Sequence, residues 1–149
     1  IRFWKTQIEE TDPDKTFSVG MMYGPSGCGK SSRVKAGLLS RLSDQVTCLY
    51  IEATPNETES RLLRSLRKAC PKLDRQWDLK ETLTQLRRGS VQPRQKVLIV
   101  LDQFEQWLHS RIEDEDRRLL VRSLRQCDGE HVQCLLLVLW FHSTEATQT

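Results

Sequence analysis

Hydrophobic residues in this chain fall into two kinds of segment: short continuous runs, and longer stretches in which apolar positions recur every three or four residues. The continuous runs predict strands over residues 17–23, 46–51, 97–101 and 134–140. The periodic stretches predict helices over residues 30–42, 57–70, 79–88 and 113–125. Strands that alternate with helices favour βαβ units and a parallel sheet. We therefore predict an α/β fold, a three-layer αβα core around a mainly parallel sheet.

The two ends of the chain depart from this alternation. At the start, Ile1, Trp4 and Ile8 are spaced as on a helix, and the polar residues 11–14 then end that helix. We predict three parts: a leading helix with its linker, the α/β domain and a polar tail, at residues 1–16, 17–141 and 142–149. Because the chain begins at Ile1 without an initiator Met, we expect it to be a fragment or a processed product.

Two of the predicted helices carry terminal signals in the sequence. Asn56 is followed three residues later by Glu59, the spacing of a capping box, so we expect Asn56 to cap the helix over residues 57–70. Gly89 follows the helix over residues 79–88, where a glycine commonly ends a helix in the left-handed conformation.

The most specific motif lies at residues 24–31, GPSGCGKS, which matches G-x-x-x-x-G-K-[ST] between a predicted strand and a predicted helix. Such glycines let backbone N–H groups converge on an anion, and the helix after the loop presents its positive end. Lys30 is placed to reach the β- and γ-phosphates, and the Ser31 hydroxyl to bind Mg²⁺. A chance glycine-rich turn is the alternative. The residues expected to contact the nucleotide are Gly24, Pro25, Ser26, Gly27, Cys28, Gly29, Lys30, Ser31 and Ser32.

An acidic residue ends the predicted strand over residues 97–101. The carboxyl ends of parallel strands form the ligand crevice of an open α/β sheet, so Asp102 is a candidate Mg²⁺ ligand opposite Ser31. Glu105 lies three residues on and is a candidate general base for the attacking water, which makes it, with Lys30, a candidate catalytic residue. The alternatives are that Asp102 is a solvated cap of the next helix and that Glu105 is a surface residue.

The strand over residues 46–51 falls between the phosphate-loop unit and the acidic strand. This arrangement, with an acid just past the Mg²⁺ aspartate, is typical of ATPases that use a catalytic glutamate. Nucleotide kinases and GTPases usually lack that glutamate, and the chain has no guanine-reading Asn-Lys-x-Asp. The sequence therefore favours ATP over GTP.

Residues 24–32, together with Val34 to Leu39, resemble the phosphate loop and first helix of the STAND NTPases, which are related to the AAA+ proteins. The similarity is closest to the novel STAND group, often fused to WD40 repeats or bacterial Ser/Thr kinase domains. Residues 97–106 resemble that group's second motif, with its Asp-Gln-Phe-Glu signature at residues 102–105. The resemblance runs from about Phe17 to Val138.

This resemblance implies an ATP-driven switch that is compact with ADP, and open and oligomerising with ATP. It also implies a WD40-like sensor and a kinase-like effector domain. The family has a fifth strand that would follow Thr149, so the resemblance implies a domain that is incomplete at its C-terminal side. The family usually carries a polar or basic residue just past the strand equivalent to residues 134–138, where this chain has residues 139–141, LWF. Two alternatives stay open: a nucleotide-binding regulatory module without turnover, and a small-molecule kinase.

The composition of the chain argues against several further classes of protein. The chain has 149 residues and a net charge of +3, too weak to indicate nucleic-acid binding. Its longest apolar run is far shorter than the ~20 residues of a membrane-spanning helix. The five cysteines are odd in number and widely spaced, which argues against disulfides and zinc and favours a reducing, cytoplasmic setting. The basic side chains over residues 61–68 suggest the solvated face of a helix, with nucleic-acid or effector contact as the alternative.

Overall fold

The computed structural model describes residues 2–10, 12–25, 32–89, 95–110 and 114–140. Its centre is a four-stranded sheet in which every neighbouring pair is parallel. The strands are β1 (Val19–Pro25), β2 (Val46–Glu52), β3 (Lys96–Asp102) and β4 (Val132–Trp140). They lie in the order β1-β4-β3-β2. The predicted α/β fold with its parallel sheet is confirmed.

The strand that separates β1 from β3 in space is β4, the last in the chain. The segment that the sequence places between these two strands forms β2, and it lies at the edge of the sheet beyond β3. Position along the chain therefore does not give position in the sheet, because each helical crossover allows the next strand to join either edge or to leave a gap for a later one.

Helices cover both faces of the sheet. They are α1 (Arg2–Glu9), α2 (Arg33–Leu38), α3 (Thr58–Ala69), α4 (Leu79–Arg87), α5 (Glu105–Leu108) and α6 (Asp114–Leu124). Helix α2 has wide π-helical turns and is continued by a 3₁₀ turn at Leu39–Arg41. No helix within the described residues is long and apolar enough to cross a membrane.

Two apolar clusters form the core, one on each face of the sheet. Ile8 of α1 and Val34 and Leu38 of α2 pack against Leu98 and Val100 of β3 on one face. On the other face, residues of α3, α4, α5 and α6 pack against Val97, Ile99 and Leu101. All seven residues of β3 are buried as a result. A strand covered on both faces is apolar along its length, and for that reason the strand at residues 97–101 is recognisable in the sequence as a continuous apolar run.

Several element boundaries differ from the predictions by a few residues; β4, for example, begins at Val132 rather than Cys134. β1 begins two residues later than predicted and continues through Gly24 and Pro25. Helix α3 is not capped by Asn56; the Thr58 hydroxyl instead donates to the Thr54 carbonyl (2.7 Å) and accepts from the Thr54 N–H (3.0 Å). The stop at Gly89 is confirmed, since this residue lies just after α4 with a φ of +71°.

Candidate functional site

The predicted phosphate loop lies between β1 and α2. β1 ends at Pro25, and Ser32 already has helical backbone angles directly before α2. Gly24 is buried and pairs with Leu139 of β4. Residues 26–31, which include Lys30 and Ser31, lie outside the described residues. The strand and helix that the motif requires are both present on either side of it.

Asp102 is the last residue of β3, and its side chain is only 5% exposed. Its Oδ1 accepts a hydrogen bond from the Gln103 N–H (2.8 Å), and its Oδ2 accepts one from the Tyr50 hydroxyl. Helix α5 is preceded by Phe104 and has no side-chain cap. The alternative of a solvated aspartate that caps the next helix is therefore wrong, because this carboxylate is buried and held by other donors.

A tight turn at residues 102–105 brings the chain from β3 back toward β4. Gln103 has a φ of +54°, a left-handed conformation that costs a non-glycine residue roughly 1–2 kcal/mol. The Phe104 N–H donates to the Leu137 carbonyl (3.0 Å), so the turn is fastened to the neighbouring strand. Backbone strain of this kind persists where surrounding contacts hold it, and it is common at functional sites.

Glu105 is brought by this turn to the carboxyl end of β4. Its side chain is 5% exposed, and its Oε1 accepts a hydrogen bond from the Leu139 N–H (3.0 Å). Leu139 is the residue that pairs with Gly24, so the carboxylate lies beside the strand position from which the predicted phosphate loop begins. The Glu105 Oε2 is buried and has no hydrogen-bond partner within the part of the chain that the structure describes. The alternative of a surface glutamate is therefore wrong.

The direction of α5 is fixed by the packing of Phe104 and Trp107. The Trp107 ring is buried and stacks on Phe104 with centroids 5.1 Å apart. The Arg117 guanidinium of α6 lies 5.8 Å from the Trp107 ring centroid and donates to the Leu108 carbonyl (2.9 Å). Aromatic stacking and a cation over an indole each stabilise this packing beyond the contribution of the buried area. Glu105 thus stands on a turn whose far side is anchored in the core.

Sequence reasoning missed Tyr50, whose hydroxyl contacts Asp102. Tyr50 is in β2, and the Lys35 ammonium of α2 lies 4.5 Å from its ring centroid. The one available signal is a tyrosine among otherwise apolar residues near the carboxyl end of a strand. That signal becomes meaningful only when β2 is known to pair with β3. In this pairing Glu52 lies opposite Asp102, and Tyr50 is two residues before Glu52.

The carboxylate oxygens at the carboxyl ends of β3 and β4 are suitable ligands for a magnesium ion. Mg²⁺ takes hard oxygen ligands, usually one or two carboxylates with phosphate oxygens and water. Asp102 offers a buried carboxylate, and the Glu105 Oε2 is a buried acceptor without a partner among the described residues. A buried acceptor without a partner is costly, so a polar group that reached this oxygen would be favourable there. Ser31, the other predicted ligand, is outside the described residues.

A second group of candidate metal ligands lies at the opposite end of β4. The ligand atoms of Asp128, Glu130 and His131 all fall within 4.8 Å of one another. The Asp128 Oδ1, however, accepts from three backbone N–H groups, those of Glu130, His131 and Val132. This carboxylate therefore stabilises the turn before β4, at the amino ends of the strands, whereas Asp102 lies at their carboxyl ends.

β4 reaches the positions at which the family usually has a polar or basic residue, residues 139–141 of this chain. Leu139 and Trp140 belong to β4, as the strand predicted over residues 134–140 has them. The position after the strand begins at residue 141, outside the described residues.

Comparison with known proteins bears on the family and the fold of this chain. The chain matches the family described as Novel STAND NTPase 1 over residues 6–142. No curated protein matches it at a significant level.

Three solved structures share a similar fold with this chain. The Drosophila ORC bound to DNA is 20% identical with a TM-score of 0.62, and the alignment covers 97% of this chain and 38% of that one. The Aeropyrum pernix ORC2 protein, in ADPNP-ADP complexes, is 25% identical with a TM-score of 0.59, covering 82% and 35%. The Walker-type ATPase of Pyrococcus abyssi is 15% identical with a TM-score of 0.56, covering 90% and 43%. The chain thus spans less than half the length of each of these structures.

Proposed function

The chain belongs to the novel STAND NTPase 1 family, and from this premise we propose that it is the NTPase module of a STAND-type signalling switch. This module binds ATP with Mg²⁺ and hydrolyses it to ADP and phosphate. The observation that carries the proposal is the buried acidic pair, Asp102 and Glu105. Glu105 accepts from the Leu139 N–H of β4, the strand that pairs with the one leading into the GPSGCGKS loop. The Aeropyrum pernix ORC2 protein, which is 25% identical and was solved in ADPNP-ADP complexes, supports adenine nucleotides as the ligand.

The proposed roles divide the site into a phosphate-binding side and an acidic side. Residues 24–32 supply backbone N–H groups and the start of α2 to the phosphates, and Lys30 binds the β- and γ-phosphates. Ser31 and Asp102 would hold Mg²⁺, which when bound neutralises charge on the phosphate oxygens. Glu105 accepts a hydrogen bond from the attacking water and takes its proton.

Lys30→Ala tests the phosphate-binding side. A lysine that donates to a phosphate contributes a charge-assisted hydrogen bond worth about 1.5–3 kcal/mol, so the variant is expected to lose affinity for Mg-ATP by about 10- to 100-fold. Calorimetric titration of the wild type and the variant measures this loss. Lys72→Ala, at an exposed position after α3, is the matched control and retains wild-type affinity. Equal affinities of Lys30→Ala and wild type would contradict the phosphate-loop assignment.

A regulatory module that binds nucleotide without turning it over is the second candidate. The hydrogen bond from the Leu139 N–H favours it, because this bond already engages one oxygen of Glu105. A phosphate-release assay on the wild-type chain separates the two candidates. Release of phosphate that depends on Lys30 supports the ATPase, whereas tight binding of ATP without release supports the regulatory module.

We extend the proposal to the partners that the family resemblance implies. These are a WD40-like sensor domain, a kinase-like effector domain and other copies of the chain that assemble when ATP is bound. The thiols of Cys48, Cys70, Cys127 and Cys134 are free, which supports a reducing compartment and hence the proposed cytoplasmic location.

A further inference from the structure

Tyr50 joins two parts of the site that are far apart in sequence. Its hydroxyl donates to the Asp102 Oδ2, while the Gln103 N–H donates to the Oδ1. The Asp102 carboxylate is thus held at both oxygens, by two donors from different strand ends. The terminal torsion of an aspartate is soft and roughly two-fold, so such donors decide where its oxygens point. An oxygen that accepts one hydrogen bond still has a second lone pair for another ligand.

The ring of Tyr50 is itself held in place. It packs, partly buried, against the core cluster beneath α1 and α2. The Lys35 ammonium lies 4.5 Å from its centroid, at a distance where a cation is attracted to an aromatic face. Lys35 belongs to α2, the helix directly after the GPSGCGKS loop. The contacts therefore run from the phosphate-loop helix, through one aromatic ring, to the carboxylate at the end of β3.

We propose that Tyr50 is a positioning residue that sets the Asp102 carboxylate for a nucleotide-bound Mg²⁺ ion and couples it to α2. This inference rests on the proposed function, since it concerns the same site. Mg²⁺ demands near-ideal octahedral geometry, so a carboxylate free to rotate is a poorer ligand than one fixed in direction. Loss of the hydroxyl therefore weakens the metal-dependent part of nucleotide affinity and leaves the metal-free part intact.

The simpler explanation is that Tyr50 is a core residue whose hydroxyl bonds the nearest acceptor. In that case its removal lowers stability, or lowers affinity equally with and without metal. The two explanations differ in one measurable ratio, the affinity for nucleotide in Mg²⁺ divided by the affinity in EDTA. Only a positioning role for Asp102 changes that ratio.

The experiment titrates the full chain with a non-hydrolysable ATP analogue in Mg²⁺ and in EDTA. For Tyr50→Phe we expect unchanged affinity in EDTA and a loss of about tenfold in the gain that Mg²⁺ confers, a difference of about 1.4 kcal/mol. Tyr23→Phe, which removes a hydroxyl from the edge strand β1, is the matched control and keeps the full gain. Asp102→Asn loses the gain, and Tyr50→Phe/Asp102→Asn loses no more than Asp102→Asn alone, because residues that act together are not additive.

The outcomes separate failure of this inference from failure of the proposed function. A wild-type chain that binds no nucleotide contradicts the proposed function. Two results contradict only the positioning role. In one, Tyr50→Phe keeps the full increase in affinity that Mg²⁺ confers on the wild type; in the other, it loses affinity equally in EDTA and in Mg²⁺. Urea unfolding of Tyr50→Phe confirms that the variant is folded when these affinities are measured.

Discussion

At the scale of single residues, burial distinguishes the two acids of the site from the other carboxylates of the described chain. Asp102 and Glu105 are the carboxylates among the buried residues. Taking a carboxylate out of water is costly unless donors compensate it. Asp102 has donors at both oxygens, whereas Glu105 has the Leu139 N–H at Oε1 and an orphaned Oε2 among the described residues. Among the described residues, Glu105 is thus the acid of the pair that keeps a buried acceptor atom open, as its proposed role toward the attacking water requires.

Glu105→Gln tests that role. The amide oxygen still accepts from the Leu139 N–H, so the turn and ATP binding are expected to be retained, but an amide cannot take a proton from water. ATP hydrolysis is expected to fall by about 10²- to 10⁴-fold, the usual contribution of a general base. Phosphate release measured beside Glu130→Gln, an exposed glutamate at the other edge of the sheet, checks this. Turnover equal to wild type would exclude Glu105 as the base.

At the scale of elements, the sheet and the leading helix are joined by one buried lysine. Lys96, the first residue of β3, is 6% exposed, and its ammonium donates to the carbonyl oxygens of Ile8 and Glu10 (2.7 Å for Glu10). Burial lowers the pKa of Lys96, against the opposing effect of Asp128, Glu10 and Glu130. The lysine thus caps the end of α1, where helix carbonyls otherwise lack donors.

Lys96→Met is expected to destabilise the chain by about 1–3 kcal/mol. The methionine fills most of the volume but leaves buried carbonyl groups without a donor, and an unsatisfied buried acceptor costs about that much. The free energy of unfolding in urea measures the change. Lys72→Met, at an exposed position, is the control and leaves this free energy within about 0.5 kcal/mol of wild type. If the two variants were equally stable, the hydrogen bonds from Lys96 to the end of α1 would not contribute to stability.

At the scale of the whole molecule, burial also protects the thiols. It raises the pKa of Cys48 to about 11 and, with the nearby Asp128 charge, the pKa of Cys127 to about 12. The pKa values of Cys70 and Cys134 are raised by burial as well. The thiolate is the reactive form, and a raised pKa lowers its fraction at neutral pH.

Thiol labelling should therefore report folding of the entire domain. At pH 8 a thiol with a pKa of about 11 is roughly 0.1% ionised, so we expect these four cysteines to react slowly with a disulfide reagent until the chain unfolds. Cys28→Ser removes the remaining thiol and should show no rapid labelling under native conditions. Its four thiols should all react in urea. Rapid native labelling of Cys28→Ser would show that the packed core opens readily.

The sequence by itself determined the class of fold and the positions of the functional motifs. The buried strands are continuous apolar runs because helices cover them on both faces, and the GPSGCGKS loop and Asp102 are local features of single strand ends. Helix starts were less predictable, because a cap depends on backbone angles that composition does not fix. Glu57 precedes α3 without a side-chain cap, whereas the sequence predicted a cap at Asn56.

Only the tertiary structure decided the strand order and the long-range contacts that depend on it. β4 lies between β1 and β3, so Leu139 reaches both Gly24 and Glu105. β2 pairs with β3 in a register that places Tyr50 within hydrogen-bonding distance of Asp102, 52 residues away. Contacts of this range are set by register and by packing of the two helical layers, which no local stretch of sequence encodes.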